Sequence, residues 1–554
     1  MPRSSLVPLR KGQTDLTDSL TGQLRERARR EPGKTFVECG PATATYAEFE
    51  CRTDEIAKGL ADLGMRSGDS LAIISSNRME FVETIFAAWK LGVAVVPINI
   101  YLKGTFLHFQ LEDAGVDTLV LDAEGMQAVA TLKERPGRIK LVIALDPVDE
   151  PLLHLPGVTP FGQLRCGEAL VAEDPAPSGI ASIVYTSGTT GLPKGCVLTH
   201  GYCSRVSRLM AEAYELLSND RMITPLPLYH AGAMLAAMGA ALVTGAAVVI
   251  DESFRARDAL DRWIQTEATV LLGVGAMGIA MLALPPRRDD RRHSVRLASF
   301  VPFTPEQQRA FHKRFGVDVT CEVYGQTECF PISFTPIRAR RRRDTVGRPA
   351  RDLAVEVLDE HGQSVAVGDL GQIAVRPNAP YAMFAGYLKQ GDPLSEKNGG
   401  WHLTGDLGRL DEHGFLSFAD RWTHAIRRRG ENVSSIAVEE ALRAHPDIDD
   451  LAVHGVPSTL TEEDIKVCVV MREGVVPKPA EIFDFFACAL PYFAVPRYLE
   501  VVDELPRNVL GRVMKHVLRD RGITEATWDF ESLGLTVTRE MRRRPTPVTD
   551  GIRE

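Results

Sequence analysis

"SIVYTSGTTGLPKGCVLTH", residues 182–200, decides how the rest of the chain is read. Ile183, Val184 and Tyr185 read as a buried strand that runs into a turn of Ser, Thr and Gly. Gly188, Gly191 and Gly195 let the backbone approach a ligand closely, so that successive N–H groups converge on an anion. Thr186, Ser187, Thr189 and Thr190 add hydroxyl donors, and Lys194 adds a mobile positive charge. Phosphate suits that donor set. The nucleotide loop G-x-x-x-x-G-K-[ST] does not fit, because Pro193 precedes the lysine and Gly195 stands where a magnesium-binding Ser or Thr belongs. A plain P-loop NTPase is thereby excluded, and a flexible linker does not carry a buried strand.

The surrounding chain of 554 residues is too long for one core and calls for more than one domain. With 44% hydrophobic and 25% charged residues it has the composition of an ordinary globular protein. A formal charge of −9 offers no global attraction to nucleic acid. The basic clusters at 287–293, 338–343 and 542–544 read as solvated loops. Nine cysteines without any C-x-x-C suggest reduced thiols and a cytoplasmic protein. The first residues have no apolar core of a secretory signal. Residues 231–250 are apolar enough to imitate a membrane span, but Thr244 and Gly245 split them into a helix-like and a strand-like half, so a buried helix and strand are expected.

From about residue 40 to 330, short apolar runs at 70–77, 93–99, 117–123 and 140–145 alternate with helical patterns such as 80–92. That is the βα alternation of a largely parallel, covered sheet. Beyond residue 345, segments 354–377 and 400–421 alternate as strands with tight turns, which predicts a smaller antiparallel sheet. Residues 424–535 suffice for a compact α+β unit, and the tail from Thr538 reads as disordered.

Four further motifs follow the loop in order: "VYGQTE" (323–328), "TGD" (404–406), "DRWTHAIRRRGENVSSIAVEE" (420–440) and "PRNVLGRVMK" (506–515). Each is weak alone. In this order, over residues 30 to 530, the chain resembles the adenylate-forming superfamily of acyl-CoA synthetases, peptide-synthetase adenylation domains and luciferases. Segments 489–508 and 527–531 look most like its carnitine/crotonobetaine-CoA ligase members. The resemblance implies an α/β fold with a large N-terminal domain of mixed, largely parallel sheets, a small antiparallel β subdomain, and a small mobile α+β C-terminal domain. The corresponding division is 1–421 for AMP binding, 422–535 for the mobile domain and 536–554 for a tail.

The resemblance also implies roles. Thr186, Ser187, Gly188, Thr189, Thr190 and Lys194 would hold the β- and γ-phosphates of ATP; Tyr324 would stack on adenine; Thr327 would bond the α-phosphate; and Glu328 would bind Mg2+. Asp406 would hold the ribose hydroxyls with Arg421 nearby, and Arg428 to Gly430 would meet CoA. His230 would line the acid tunnel, with a capped core histidine as the alternative. The implied activity is an ATP-dependent acid–thiol ligase acting on a small molecule, with no nucleic-acid partner and no membrane span; a homo-oligomer is left open.

Three departures qualify that pattern. Gly511 is followed by Arg512 where the family has lysine, so Arg512 or Lys515 is expected to act in catalysis. Thr423 stands at the hinge position that usually carries Asp or Lys. "SFVPF" (299–303) replaces a glycine-rich loop, which leads to a pocket of His230, Phe300, Phe303 and Gly275 suited to a compact or aromatic acid. Alternatives to the CoA step are a carrier-protein acceptor, nitrite-dependent diazotisation of an aryl amine, or a nucleotide-binding pseudoenzyme.

Overall fold

The computed structural model describes residues 19–538, apart from 133–137, 148–156, 166, 168, 171–172, 187–192, 340, 343, 390–399, 422–424, 429–430, 459–461 and 508–512. The tail from residue 539 and the hinge position Thr423 therefore lie outside the described residues.

The apolar runs of the N-terminal half become strands Ser70–Ile74, Ala94–Pro97, Thr118–Leu121 and Leu141–Ala144, paired in parallel within one eight-stranded sheet. Strand Ile180–Thr186 joins it beside Ala94–Pro97, and antiparallel Lys194–Thr199 and Gly386–Tyr387 complete that edge. Helix Met79–Leu91 between the first two strands is apolar on most of its sides and correspondingly buried, with Gly92 closing it at φ 73. A second, seven-stranded sheet gathers Thr35–Cys39, Arg221–Thr224, Ala247–Ile250, Val270–Val274 and Leu297–Val301 in parallel. Helix His200–Ala213 and the π-helical turn Gly232–Gly239 are packed together in the main core.

Residues 231–250 form the expected helix and strand, with Gly245 in the left-handed region at φ 78 between them. Among the described residues no helix is long and apolar enough to cross a membrane. Every described cysteine is a free thiol.

The change of texture after residue 345 is real. Leu353–Leu358, Gly371–Pro377, His402–Leu410 and Leu416–Arg421 form a four-stranded antiparallel sheet. Two of its turns repeat one chemistry, Asp-Glu-His-Gly at 359–362 and 411–414. In each, one aspartate oxygen accepts the backbone N–H groups two and four residues on, at 2.8–2.9 Å, and the glycine takes positive φ. Further on, Ile448–Pro457, Glu463–Met471, Tyr498–Val501 and Thr527–Asp529 make a separate four-stranded sheet. It is covered by helices Ser435–Leu442, Pro479–Ala489 and Lys515–Arg521.

Candidate active site

The phosphate-type loop springs from a β-hairpin. Thr186, the last residue of one strand, stands opposite Lys194, the first of the next. Ser187, Gly188, Thr189 and Thr190 lie outside the described residues. Lys194 Nζ sits 4.9 Å over the ring of Tyr387, whose own strand pairs with Cys196. The Tyr387 hydroxyl donates to Glu328 Oε1 at 2.7 Å. Burial, reinforced by the Glu328 carboxylate, pushes the Tyr387 phenol well above its usual range, so it remains a donor. Thr186 Oγ1 is 3.7 Å from Cys196 Sγ, and that buried thiol also borders Glu328. Thus Thr186, Lys194, Tyr387 and Glu328 form one cluster drawn from distant segments.

Glu328 and Thr327 occupy the tight turn between strands Val323–Gln326 and Cys329–Phe334. Tyr202, from helix His200–Ala213, pins this turn twice: its hydroxyl donates to the Thr327 carbonyl at 3.0 Å and accepts from Phe330 N–H at 2.8 Å. Gly325 is needed here, since a Cβ would stand 2.8 Å from the Cys329 carbonyl oxygen. On the strand leading into that turn, the Tyr324 hydroxyl donates to Asp406 Oδ2 at 2.6 Å, and Gln326 Nε2 donates to the same oxygen at 2.9 Å. Asp406 is held in turn by its N–H to Thr404 Oγ1 at 3.1 Å, and it pairs across the ladder with Arg421. Several of the expected residues therefore meet at one hairpin, Glu328 at its turn and Asp406 against the strand that leads into it.

His230 lies at the entrance to the π-helical turn, its side chain 39% exposed, with Nε2 3.1 Å from Glu431 Oε1. The Tyr229 hydroxyl and Asn99 Nδ2 approach that same oxygen at 3.3 and 3.4 Å. Burial works against a charged imidazole and Arg427 adds to that, but the Glu431 carboxylate outweighs both and raises the His230 pKa above its ordinary 6.5.

Other expected residues are placed elsewhere. Phe300 and Phe303 are buried in an aromatic cluster with Phe311, at ring separations of 5.3 and 6.1 Å. Strand alternation explains this, because Phe300 and its neighbour Ser299 point to opposite faces of the sheet. Phe300 borders a cavity of about 290 Å3 lined by Trp263, Gly273 and Met277, and neither His230 nor Phe303 lines it. Phe300 and Phe303 are themselves adjacent, with ring centroids 5.5 Å apart. Gly275 is instead a close-approach glycine, as a Cβ there would stand 1.7 Å from the Pro302 carbonyl oxygen.

Arg428, expected at CoA, is 4% exposed and spends its guanidinium on Asp464 at 3.1 Å and on the Val495 carbonyl. Lys515 is likewise occupied, with Nζ 2.8 Å from Ser435 Oγ and 2.7 Å from Glu439 Oε1; burial lowers its pKa while Glu439 opposes the fall. Gly430 and Arg512 lie outside the described residues, and of Arg421 only the backbone is described. Sequence reasoning missed Tyr387, Tyr202 and Glu431. Glu431 adjoins the Arg428–Gly430 segment, whereas nothing local marks Tyr387 or Tyr202.

Residues 24–388 match the model of the AMP-binding enzyme family, and residues 437–512 match the AMP-binding enzyme C-terminal domain. The chain belongs to the AMP-binding enzyme family. This AMP-binding enzyme is 31% identical over 483 residues to a crotonobetaine/carnitine–CoA ligase of Escherichia fergusonii, a match covering 86% of the chain and 93% of that ligase. Its fold is similar to that of an o-succinylbenzoate CoA synthetase from Bacillus subtilis, with TM-score 0.75 and 26% identity over 90% of the chain and 98% of the synthetase. An amide bond synthetase from Marinactinospora thermotolerans is matched with TM-score 0.76 and 26% identity over 91% of the chain and 99% of that protein. The resemblance to adenylate-forming enzymes, the carnitine-CoA ligase type included, is borne out, and the AMP-binding enzyme is an ATP-dependent, AMP-forming ligase.

Proposed function

We propose that this ligase joins a compact carboxylic acid to coenzyme A in two steps. A carboxylate oxygen of the acid attacks the α-phosphorus of ATP, the bond to the bridging oxygen breaks, and pyrophosphate leaves with that electron pair. The thiolate of CoA then attacks the acyl carbonyl, the acyl–phosphate bond breaks, and AMP leaves. The observation that carries this reading is the single hairpin 323–334, whose Tyr324 and Gln326 bond Asp406 and whose Glu328 bonds Tyr387, with Lys194 over that ring and Thr186 opposite Lys194. A nucleotide beside the hairpin would then have its ribose at Asp406 and its phosphates at Lys194. Catalysis at phosphorus consists mainly of positioning and charge stabilisation.

Magnesium fits the donor set. Glu328 supplies a buried carboxylate and Thr327 a hydroxyl beside it, and a cation of this kind takes one or two carboxylates together with phosphate oxygens. When bound it offsets phosphate charge. Lys194 and Thr186 would hold the terminal phosphates, and Tyr324 would lie against the base. Arg512, rather than the already paired Lys515, would then bring positive charge to the α-phosphate as residues 422–535 move. His230 would face the acid, with Glu431 as its partner.

One feature supports a compact acid. A Cβ on Gly278 would meet both Phe300 and Phe303 at 2.9 Å, so the space behind this glycine is already filled by aromatic rings. A long chain directed there would have to displace the core. Mass spectrometry of reactions with short, aromatic, betaine-like and fatty acids, with and without CoA, tests the reading. AMP, pyrophosphate and a thioester from a short or aromatic acid are expected. Thioester formed only from long-chain acids would overturn the substrate class, and AMP release indifferent to CoA would overturn the second step.

A further inference from the structure

We propose that Tyr387 is a positioning residue that makes Glu328 a one-oxygen ligand and thereby sets the preference of the site for Mg2+ over Ca2+; this rests on the reading of Glu328 as the metal-binding carboxylate. The argument starts from the 2.7 Å hydrogen bond to Glu328 Oε1. A phenol hydroxyl facing a carboxylate can only donate to it, and a hydrogen bond to an ionised acceptor is of the strong kind. It takes up one lone pair and part of the charge of Oε1, and so favours binding of a cation through Oε2 over binding through both oxygens.

Small Mg2+ demands near-octahedral geometry and takes carboxylates through one oxygen, whereas larger Ca2+ accepts them through both and tolerates irregular shells. A carboxylate with one oxygen spoken for therefore loses less toward Mg2+ than toward Ca2+. Tyr387 is itself well fixed. Its backbone pairs with Cys196 in the sheet, and its ring lies 5.0 Å from that of Phe384. The Phe384 N–H donates to the Glu328 carbonyl at 2.9 Å, so the turn carrying the carboxylate is bonded as well to the segment that leads into the strand carrying the phenol. The opposite use of the ring, beneath the Lys194 ammonium, is separable from the hydroxyl and provides an internal control.

The test is ATP binding by the full chain, measured by calorimetry in Mg2+, in Ca2+ and in EDTA, for wild type, Tyr387→Phe, Tyr387→Leu and Glu328→Gln. Tyr387→Phe keeps the ring against Phe384 and Lys194 and removes only the donor. Its ratio of ATP affinity in Mg2+ to that in Ca2+ should fall about tenfold, the worth of one hydrogen bond to a charged group, while affinity in EDTA stays at the wild-type value. Tyr387→Leu should lose affinity in EDTA as well, because Lys194 loses its ring. A wild-type metal ratio in Tyr387→Phe, with a lowered ratio in Glu328→Gln, overturns the role of Tyr387. A wild-type ratio in both variants overturns the metal-ligand reading of Glu328 itself. An EDTA affinity that falls in Tyr387→Phe as far as it does in Tyr387→Leu makes the residue a packing element and also overturns the proposal.

Discussion

Replacing Glu431 with alanine should reverse the sign of the His230 pKa displacement. Burial disfavours the cation and Arg427 adds to that, but the Glu431 carboxylate at 3.1 Å favours it and prevails, so the pKa lies above 6.5. With the carboxylate gone, burial and Arg427 remain and both act downward, so the variant's pKa should fall below 6.5. Glu431→Gln, which keeps an acceptor without charge, should fall between the two. A histidine with a raised folded-state pKa contributes stability that is fully present below its unfolded value and is lost as pH rises through the folded value. Because the side chain is 39% exposed, solvent screening reduces the worth of the pair to about 0.5–1 kcal/mol. Alanine also strips Tyr229 and Asn99 of a shared acceptor, a pH-independent loss of about 1 kcal/mol. The assay is an NMR titration of the His230 ring, paired with urea unfolding on both sides of the titration. The stability gap between wild type and variant should be widest in acid and narrow toward alkaline pH. A His230 pKa that is identical in wild type and alanine variant, or a gap that does not change with pH, would refute the reasoning.

Three other outcomes are expected. Arg428→Ala should destabilise the fold by about 3 kcal/mol in thermal or urea unfolding, because it leaves Asp464 buried with half its ion pairing removed, and it should do so without CoA present. Gly275→Ala should lower stability by at least ~2 kcal/mol or abolish soluble expression, since the added carbon would stand 1.7 Å from the Pro302 carbonyl oxygen. Tyr324→Phe removes the phenol that donates beside Gln326 to buried Asp406, and ATP affinity by calorimetry should drop by roughly tenfold while the melting temperature moves little.

The division between what the sequence determines alone and what needs the fold runs along chain distance. The βα texture, the antiparallel sheet after residue 345, the buried helix and strand of 231–250 and the turn glycines were all legible, since periodicity and turn chemistry act within a few residues. So was the order of the motifs. The partnerships inside the site were not. Tyr387 meets Glu328 across 59 positions, Tyr324 meets Asp406 across 82, and His230 meets Glu431 across 201. No local pattern marks such pairs, because the strands that carry them become neighbours only when the sheets close. Nor could the "SFVPF" segment disclose where its rings point. A one-residue alternation along strand Leu297–Val301 turned Phe300 toward Phe311, and packing against Gly273 and Gly278 keeps it there. Arg428 and Lys515 teach the same lesson about charge: both are basic residues in motif-bearing segments, and both are consumed by buried carboxylates that only the tertiary structure supplies.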